Sequence, residues 1–143
     1  MEGVSKLFSG MRIAATGMSA ERIRIDTVAR NIANSTVTRT AEGGPYKRQV
    51  VEFEPILLRQ QDGREVNAGV RVRGVTNDEI SSFERIHDPG HPDADKNGWV
   101  TYPNVNATRE MADLITAVRA YEANIDVQEN FVRMADRALR LAQ

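Results

Sequence analysis

The chain has 143 residues and a mass of 15.9 kDa, enough for one domain or for one domain flanked by extended helices. Its 20 acidic residues nearly cancel 19 lysines and arginines, a formal charge of −1, so the chain as a whole offers nucleic acid no electrostatic handle. Cysteine is absent, which excludes disulfides, thiolate catalysis and sulfur-bound zinc, and no run of eighteen apolar residues exists to span a membrane.

From Phe8 the apolar residues fall on helical spacing. Phe8, Met11, Ala15, Met18, Arg22, Ile25, Ala29 and Ile32 alternate steps of three and four, the a/d pattern of a heptad repeat with Arg22 as its exception. Leu7, Ala14 and Val28 widen that stripe on one side. Proline first occurs at Pro45, and short polar and β-branched residues take over at Ser35-Thr36-Val37-Thr38. The spacing predicts a helix over 6–34, roughly 40 Å long at about 1.5 Å per residue. The segment 1–6 has neither the charged start nor the apolar run of a secretory leader, so none is expected.

Residues 38–103 hold all five prolines and seven of the ten glycines, which predicts a small β or irregular module. Strand-prone runs occur at 46–54, 69–75, 82–87 and 99–102, and Gln60-Gln61-Asp62-Gly63-Arg64 reads as a turn between two strands. Beyond Asn104 the helical pattern resumes, with Asn106 or Thr108 as N-cap and Glu110 in the first turn, where the helix dipole favours an anion. Met111, Leu114, Val118, Tyr121, Ile125, Gln128, Val132, Ala135, Leu139 and Ala142 keep three-four spacing, and Arg133, Arg137 and Arg140 load the last turns. The division is therefore 1–37 and 106–143 as terminal helices and 38–105 as the middle. The fold class is α+β, mainly α, with the long helices packing as a coiled-coil-like pair.

The strongest metal signal is Asp93-Ala94-Asp95-Lys96-Asn97-Gly98-Trp99-Val100, which matches the first half of a calcium loop, with oxygen donors at positions 1, 3 and 5 and glycine at 6. Its second half fails: Asn104 cannot supply the bidentate carboxylate of position 12, and Pro89, Pro92 and Pro103 forbid the flanking helices. A tight turn explains the same residues. His87 and His91 sit in this extended stretch without a paired nucleophile, and Gly43-Gly44-Pro45 lacks the lysine and hydroxyl of a phosphate loop. No catalytic site, cofactor site or metal site is expected. A small calcium-binding module and a generic coiled-coil adaptor stand as the alternative readings.

Several motifs carry a resemblance over nearly the whole chain. Phe8 with Ile13-Ala14-Ala15-Thr16-Gly17-Met18, then Asn31-Ile32-Ala33-Asn34-Ser35-Thr36, resembles the N-terminal signature of bacterial flagellar rod, hook and hook-associated proteins, and Tyr121-Glu122-Ala123-Asn124 resembles their C-terminal motif. Gly43-Gly44-Pro45-Tyr46-Lys47-Arg48-Gln49 and the run from Asp88 to Asp95, with Tyr102-Pro103-Asn104-Val105-Asn106, narrow the likeness to proximal-rod proteins of the C type. Thr16 replaces the family's usual serine and Glu21 a common glutamine.

The resemblance implies a structural subunit of the basal-body rod, located within the periplasmic space and exported without a cleaved signal peptide. It implies as partners further copies of the chain, other rod proteins, the rod–export-gate adaptor protein and the type III export apparatus. Combined with the heptad seams, it marks an assembly interface of Phe8, Met11, Met18, Ile25, Asn31, Ile32 and Asn34 on the first helix. The second contributes Met111, Leu114, Val118, Tyr121, Asn124, Ile125, Val132 and Leu139. Long helices whose apolar faces lack a partner are marginal in water. Both ends, before about residue 38 and after about residue 105, are therefore expected to be mobile until assembly.

Overall fold

A computed structural model describes residues 2–60 and 63–141, with side chains over 8–60 and 63–140. Helix α1 spans Glu2–Ala33, strands β1 (Gln49–Arg59), β2 (Glu65–Asn77), β3 (Glu84–His87) and β4 (Trp99–Tyr102) follow, and helix α2 spans Ala107–Leu141. The protein is α+β and mainly helical. Of the expected apolar stripes, the Leu7 side chain and residue Ala142 lie outside the described residues.

α1 ends as its asparagines suggest. The Asn34 side-chain amide donates to the Arg30 carbonyl at 2.8 Å, and Ser35 Oγ donates to the Ile32 carbonyl at 2.8 Å, satisfying carbonyls that the last turn leaves open. α2 begins with Asn106 as its N-cap: Asn106 Oδ1 accepts the Arg109 amide at 3.0 Å, the bond an N-cap makes to an orphan donor.

β1 and β2 form a long antiparallel hairpin, and β3 and β4 form a second, separate pair. Both main strands run longer than their propensity suggests, because hairpin pairing extends each into residues that are poor strand formers alone. The Gln60 amide donates to the Arg64 carbonyl at 2.8 Å and the Gly63 amide to the Gln60 carbonyl at 2.9 Å, closing the expected turn. Gln61 and Asp62 lie outside the described residues.

Two register shifts kink the first hairpin, between Glu52 and Phe53 and between Ile56 and Leu57. At the second, Gly69 takes φ +140° and sits against Thr16 of α1. The Val70 amide donates to Thr16 Oγ1 at 3.2 Å, and Thr16 Oγ1 donates to the Ile13 carbonyl at 2.7 Å. The bulge thus docks the hairpin on α1, using a hydroxyl that serine carries equally well.

α1 and α2 lie antiparallel along each other. The Phe131 ring covers Gly10, the Asn124 amide lies over Gly17, and Asn31 bonds Glu110 near the opposite end. The seam centre differs from the expected stripe. On α1 it runs through Gly10, Ala14, Gly17, Val28 and Asn31, with Met11, Met18, Ile25 and Ile32 half-buried on its flank and Phe8, Ala15, Arg22 and Ala29 exposed. Small residues win the centre because they let two backbones approach closely.

Among the described residues, the fully buried apolar side chains are Ala14, Ala20, Val28, Ala68, Val100 and Ala117, four alanines and two valines. Each removes little apolar area from water, and the larger aliphatic side chains Met11, Met18, Ile25, Ile32, Leu114 and Ile125 are only partly buried. The two helices are each other's first partner, through Phe131 over Gly10, Asn124 over Gly17 and the Asn31–Glu110 bond.

Candidate assembly surface and its buried polar node

The apolar rows that α2 does not spend on α1 remain outside. Met111, Val118, Ile125, Val132 and Leu139 recur every seven residues along one side of the helix. All but the half-buried Ile125 are exposed, Met111 by 53% and Leu139 by 68%, with Ile115 beside them. Leu114, Tyr121 and Asn124 lie half-buried nearer α1, and the Asn124 amide also donates to the Ala120 carbonyl at 2.9 Å. Phe8 is exposed at the far end of α1. Of the expected interface residues, Asn31 and Asn124 therefore meet the opposite helix, whereas Phe8, Met111, Val118, Val132 and Leu139 face outward. A row of aliphatic side chains in water costs free energy that a neighbour recovers.

Where the helices meet the middle segment, the packing turns polar. Asn31 is fully buried and makes four hydrogen bonds: its Nδ2 donates to the Gln49 carbonyl at 2.8 Å and to Glu110 Oε2 at 2.9 Å. Its Oδ1 accepts the Gln49 amide at 2.9 Å and the Tyr46 hydroxyl at 2.9 Å. That uses all of an asparagine's hydrogen-bonding capacity.

Glu110, 1% exposed, receives Arg48 Nε on its other oxygen at 2.7 Å. Arg48 also reaches Asp78 at 3.3 Å and Asp113 at 3.9 Å. Its backbone is held as well: its amide donates to Asn104 Oδ1 at 2.7 Å and its carbonyl accepts the Asp78 amide at 2.8 Å. Asn104 Nδ2 completes the ring by donating to the carbonyls of Asp78 and Ser81.

The charges follow this geometry. Burial works against the Arg48 cation, but the hydrogen bonds and charges of Glu110 and Asp78 outweigh it, and its pKa is raised. The Ser81 amide and hydroxyl and the Ile80 amide hold Asp78 well below the usual carboxylate range, and Arg48 adds to the effect. Burial pushes the Tyr46 hydroxyl up; the Arg30 charge opposes this and the Glu110 charge supports it. Tyr46 therefore stays protonated and remains a donor to Asn31. Asn31 and Glu110 were visible in the sequence as a helix-end amide and a first-turn acid. Arg48, Asp78 and Asn104 carried no local signal of their role, because their partners lie far away in the chain.

The residues of the half-matched calcium loop are engaged otherwise. Asp95 Oδ1 accepts the amides of Asn97 and Trp99 at 2.8 and 2.9 Å, which hold its carboxyl below the usual range, and Oδ2 takes Arg85 at 3.0 Å. Asp93 accepts the Thr38 hydroxyl at 2.8 Å and pairs with Arg39 at 3.6 Å. These are the contacts of a turn and a tether to the end of α1. His87 meets Trp99 edge-on at 5.1 Å, and His91 Nδ1 accepts the Asp93 amide at 3.1 Å. Among the described residues, no three His, Asp or Glu side chains gather to hold a metal ion.

Comparison with known proteins agrees with this geometry. Residues 11–39 match the family described as flagella basal body rod protein, and residues 96–141 match the flagellar basal body rod FlgEFG protein C-terminal family. The two matches fall on the helices and their junctions with the middle. The flagellar basal-body rod protein FlgC of Borreliella burgdorferi is 40% identical, covering 96% of this chain and 98% of the relative. Those of Aquifex aeolicus and Bacillus subtilis are 42% and 34% identical, covering 83% and 95% of this chain and 84% and 98% of the relatives. With matches at both helices and full-length relatives at this identity, the chain belongs to the FlgC family of flagellar basal-body rod proteins.

Proposed function

We propose that this rod subunit polymerises with other rod proteins into a drive shaft that transmits torque from motor to hook. The three parts divide the work: helices within 1–37 and 106–143 pack as a coiled-coil-like pair in the inner tube, and 38–105 lies outside them. The seven-residue spacing of the Gly10–Phe131 and Gly17–Asn124 contacts supports that packing. The role is structural, and export proceeds through the type III apparatus without a cleaved signal peptide. The partners are further copies of the chain, neighbouring rod proteins and the rod–export-gate adaptor, at a site within the periplasmic space.

The observation that carries this reading is the outward row Met111, Val118, Val132 and Leu139 on a helix whose inner face is already occupied. Heterologous head-to-tail contacts through such rows generate open helical stacks. The test is Val132→Asp. Because Val132 is exposed, the purified variant should melt within a degree or two of the parent chain, yet cells carrying it should export it, build no complete rod and not swim. Arg133→Ser, one residue on and also exposed, should swim normally. Normal motility of Val132→Asp at normal protein level refutes the surface.

A further inference from the structure

The seam between α1 and α2 repeats itself. Gly10, Gly17, Arg24 and Asn31 stand at heptad intervals on one helix, and Phe131, Asn124, Ala117 and Glu110 recur every seven residues on the other. Such a seam tolerates sliding by one heptad: Gly17 can take the Phe131 ring as Gly10 does, and Ala117, fully buried, is small enough to meet either Gly17 or Asn31. Shape alone leaves several registers close in energy.

Asn31 and Glu110 are different. Sliding one way sets Asn31 against Ala117 and carries Glu110 past the end of α1 at Ala33. Sliding the other way carries Asn31 past the start of α2 at Ala107. Either slip parts the Asn31 amide from its carboxylate and strands that fully buried side chain, even where Arg24 comes opposite Glu110.

The two consecutive residues Arg48 and Gln49 fasten this pair from the middle segment. Gln49 holds α1 through both its amide and its carbonyl to Asn31, and Arg48 holds α2 through its side chain to Glu110. Arg48 cannot follow α2 in a slip, because the adjoining Gln49 is tied to Asn31 of α1 through both backbone groups and the Arg48 carbonyl is tied to Asp78. We propose that the Asn31–Glu110 pair, clamped by Arg48 and Gln49, is a register lock that selects one alignment of α1 and α2 among those a heptad apart. Register in turn sets how the outward rows of the two helices stand to one another, a consequence that rests on the rod reading above.

The chain lacks cysteine, so spin labels attach only where cysteines are introduced. Arg22→Cys and Glu129→Cys label exposed positions on the two helices, and pulsed electron paramagnetic resonance on the purified full-length chain reads the distance between them. With the lock intact, one distance population is expected. In Asn31→Leu/Glu110→Leu, a second population should appear, displaced along the helix axis by about 10 Å per heptad, while helical circular dichroism is retained. A helical variant that keeps the single parental distance overturns the proposal. If the double variant loses its helices, Asn31→Ala carries the same test with the Arg48–Glu110 pair in place. Loss of helix in both also overturns it, since the node then serves folding as a whole. Distances are read on the free chain and motility in cells, so the lock and the rod reading can fail separately.

Discussion

Arg48→Ala and Glu110→Gln break one ion pair from its two sides, and the structure makes their costs unequal. Without Arg48, Glu110, 1% exposed in the intact chain, keeps only the Asn31 amide at 2.9 Å, so its carboxylate loses most of its compensation. Stranding one partner of a buried pair costs about 3–5 kcal/mol. In Glu110→Gln the side-chain oxygen still accepts the Asn31 amide, and the Arg48 side chain, already 22% exposed, reaches water and retains Asp78 at 3.3 Å. That loss is one charge-assisted hydrogen bond, about 1.5–3 kcal/mol. Arg48→Ala is therefore expected to be the more damaging by about 1–2 kcal/mol. Urea unfolding followed by helical circular dichroism resolves this, since a typical slope of about 1–3 kcal/mol per molar converts the gap into a midpoint difference of several tenths molar or more. Complete unfolding of Arg48→Ala beside a folded Glu110→Gln is the same ordering at its limit. Equal midpoints, or the reverse order, refute the claim that Glu110 is the buried and dependent partner.

Three further outcomes are expected. Asp78 is held below its ordinary value in the folded chain, so its ionised form stabilises the fold above the unfolded carboxylate pKa of about 3.9, and the contribution fades as pH falls through and below it. Asp78→Asn should accordingly lose stability most at pH 7, and a deficit that stays constant down to pH 3 contradicts the assignment. Gly69→Ala forces a side chain into φ +140° against Thr16 and should cost about 1–3 kcal/mol by thermal unfolding; Gly74→Ala, with open space around it, should be near neutral, and equal effects would discount the docking bulge. Limited trypsin digestion should cut first at Arg133, Arg137 and Arg140 and at Arg12, away from the polar node, and only later at Arg24, Arg30 and Arg48. Early cleavage at Arg48 would show that the node does not hold the chain together.

The two long helices follow from local sequence, because their apolar periodicity and freedom from proline are local properties, and a helix closes its hydrogen bonds within itself. The turn at Gln60–Arg64, the Asn106 cap and the carbonyl-capping Asn34 were legible for the same reason: each depends on residues a few positions away. Family membership was legible as well, in motifs that stand at the helix ends. Which face of each helix turns inward was a tertiary decision. Counting apolar residues favours the rows of Met11 and Met111, but two helices approach most closely where their side chains are smallest, so Gly10, Gly17 and Ala117 took the seam and displaced the larger rows toward solvent. The polar node as a unit was likewise a tertiary product: Asn31 and Glu110 read only as a helix-end amide and a first-turn acid, and Arg48, Asp78 and Asn104 gave no local sign that the chain folds back and brings them together. Local periodicity can say that a helix has an apolar side; only the packed chain decides what that side touches.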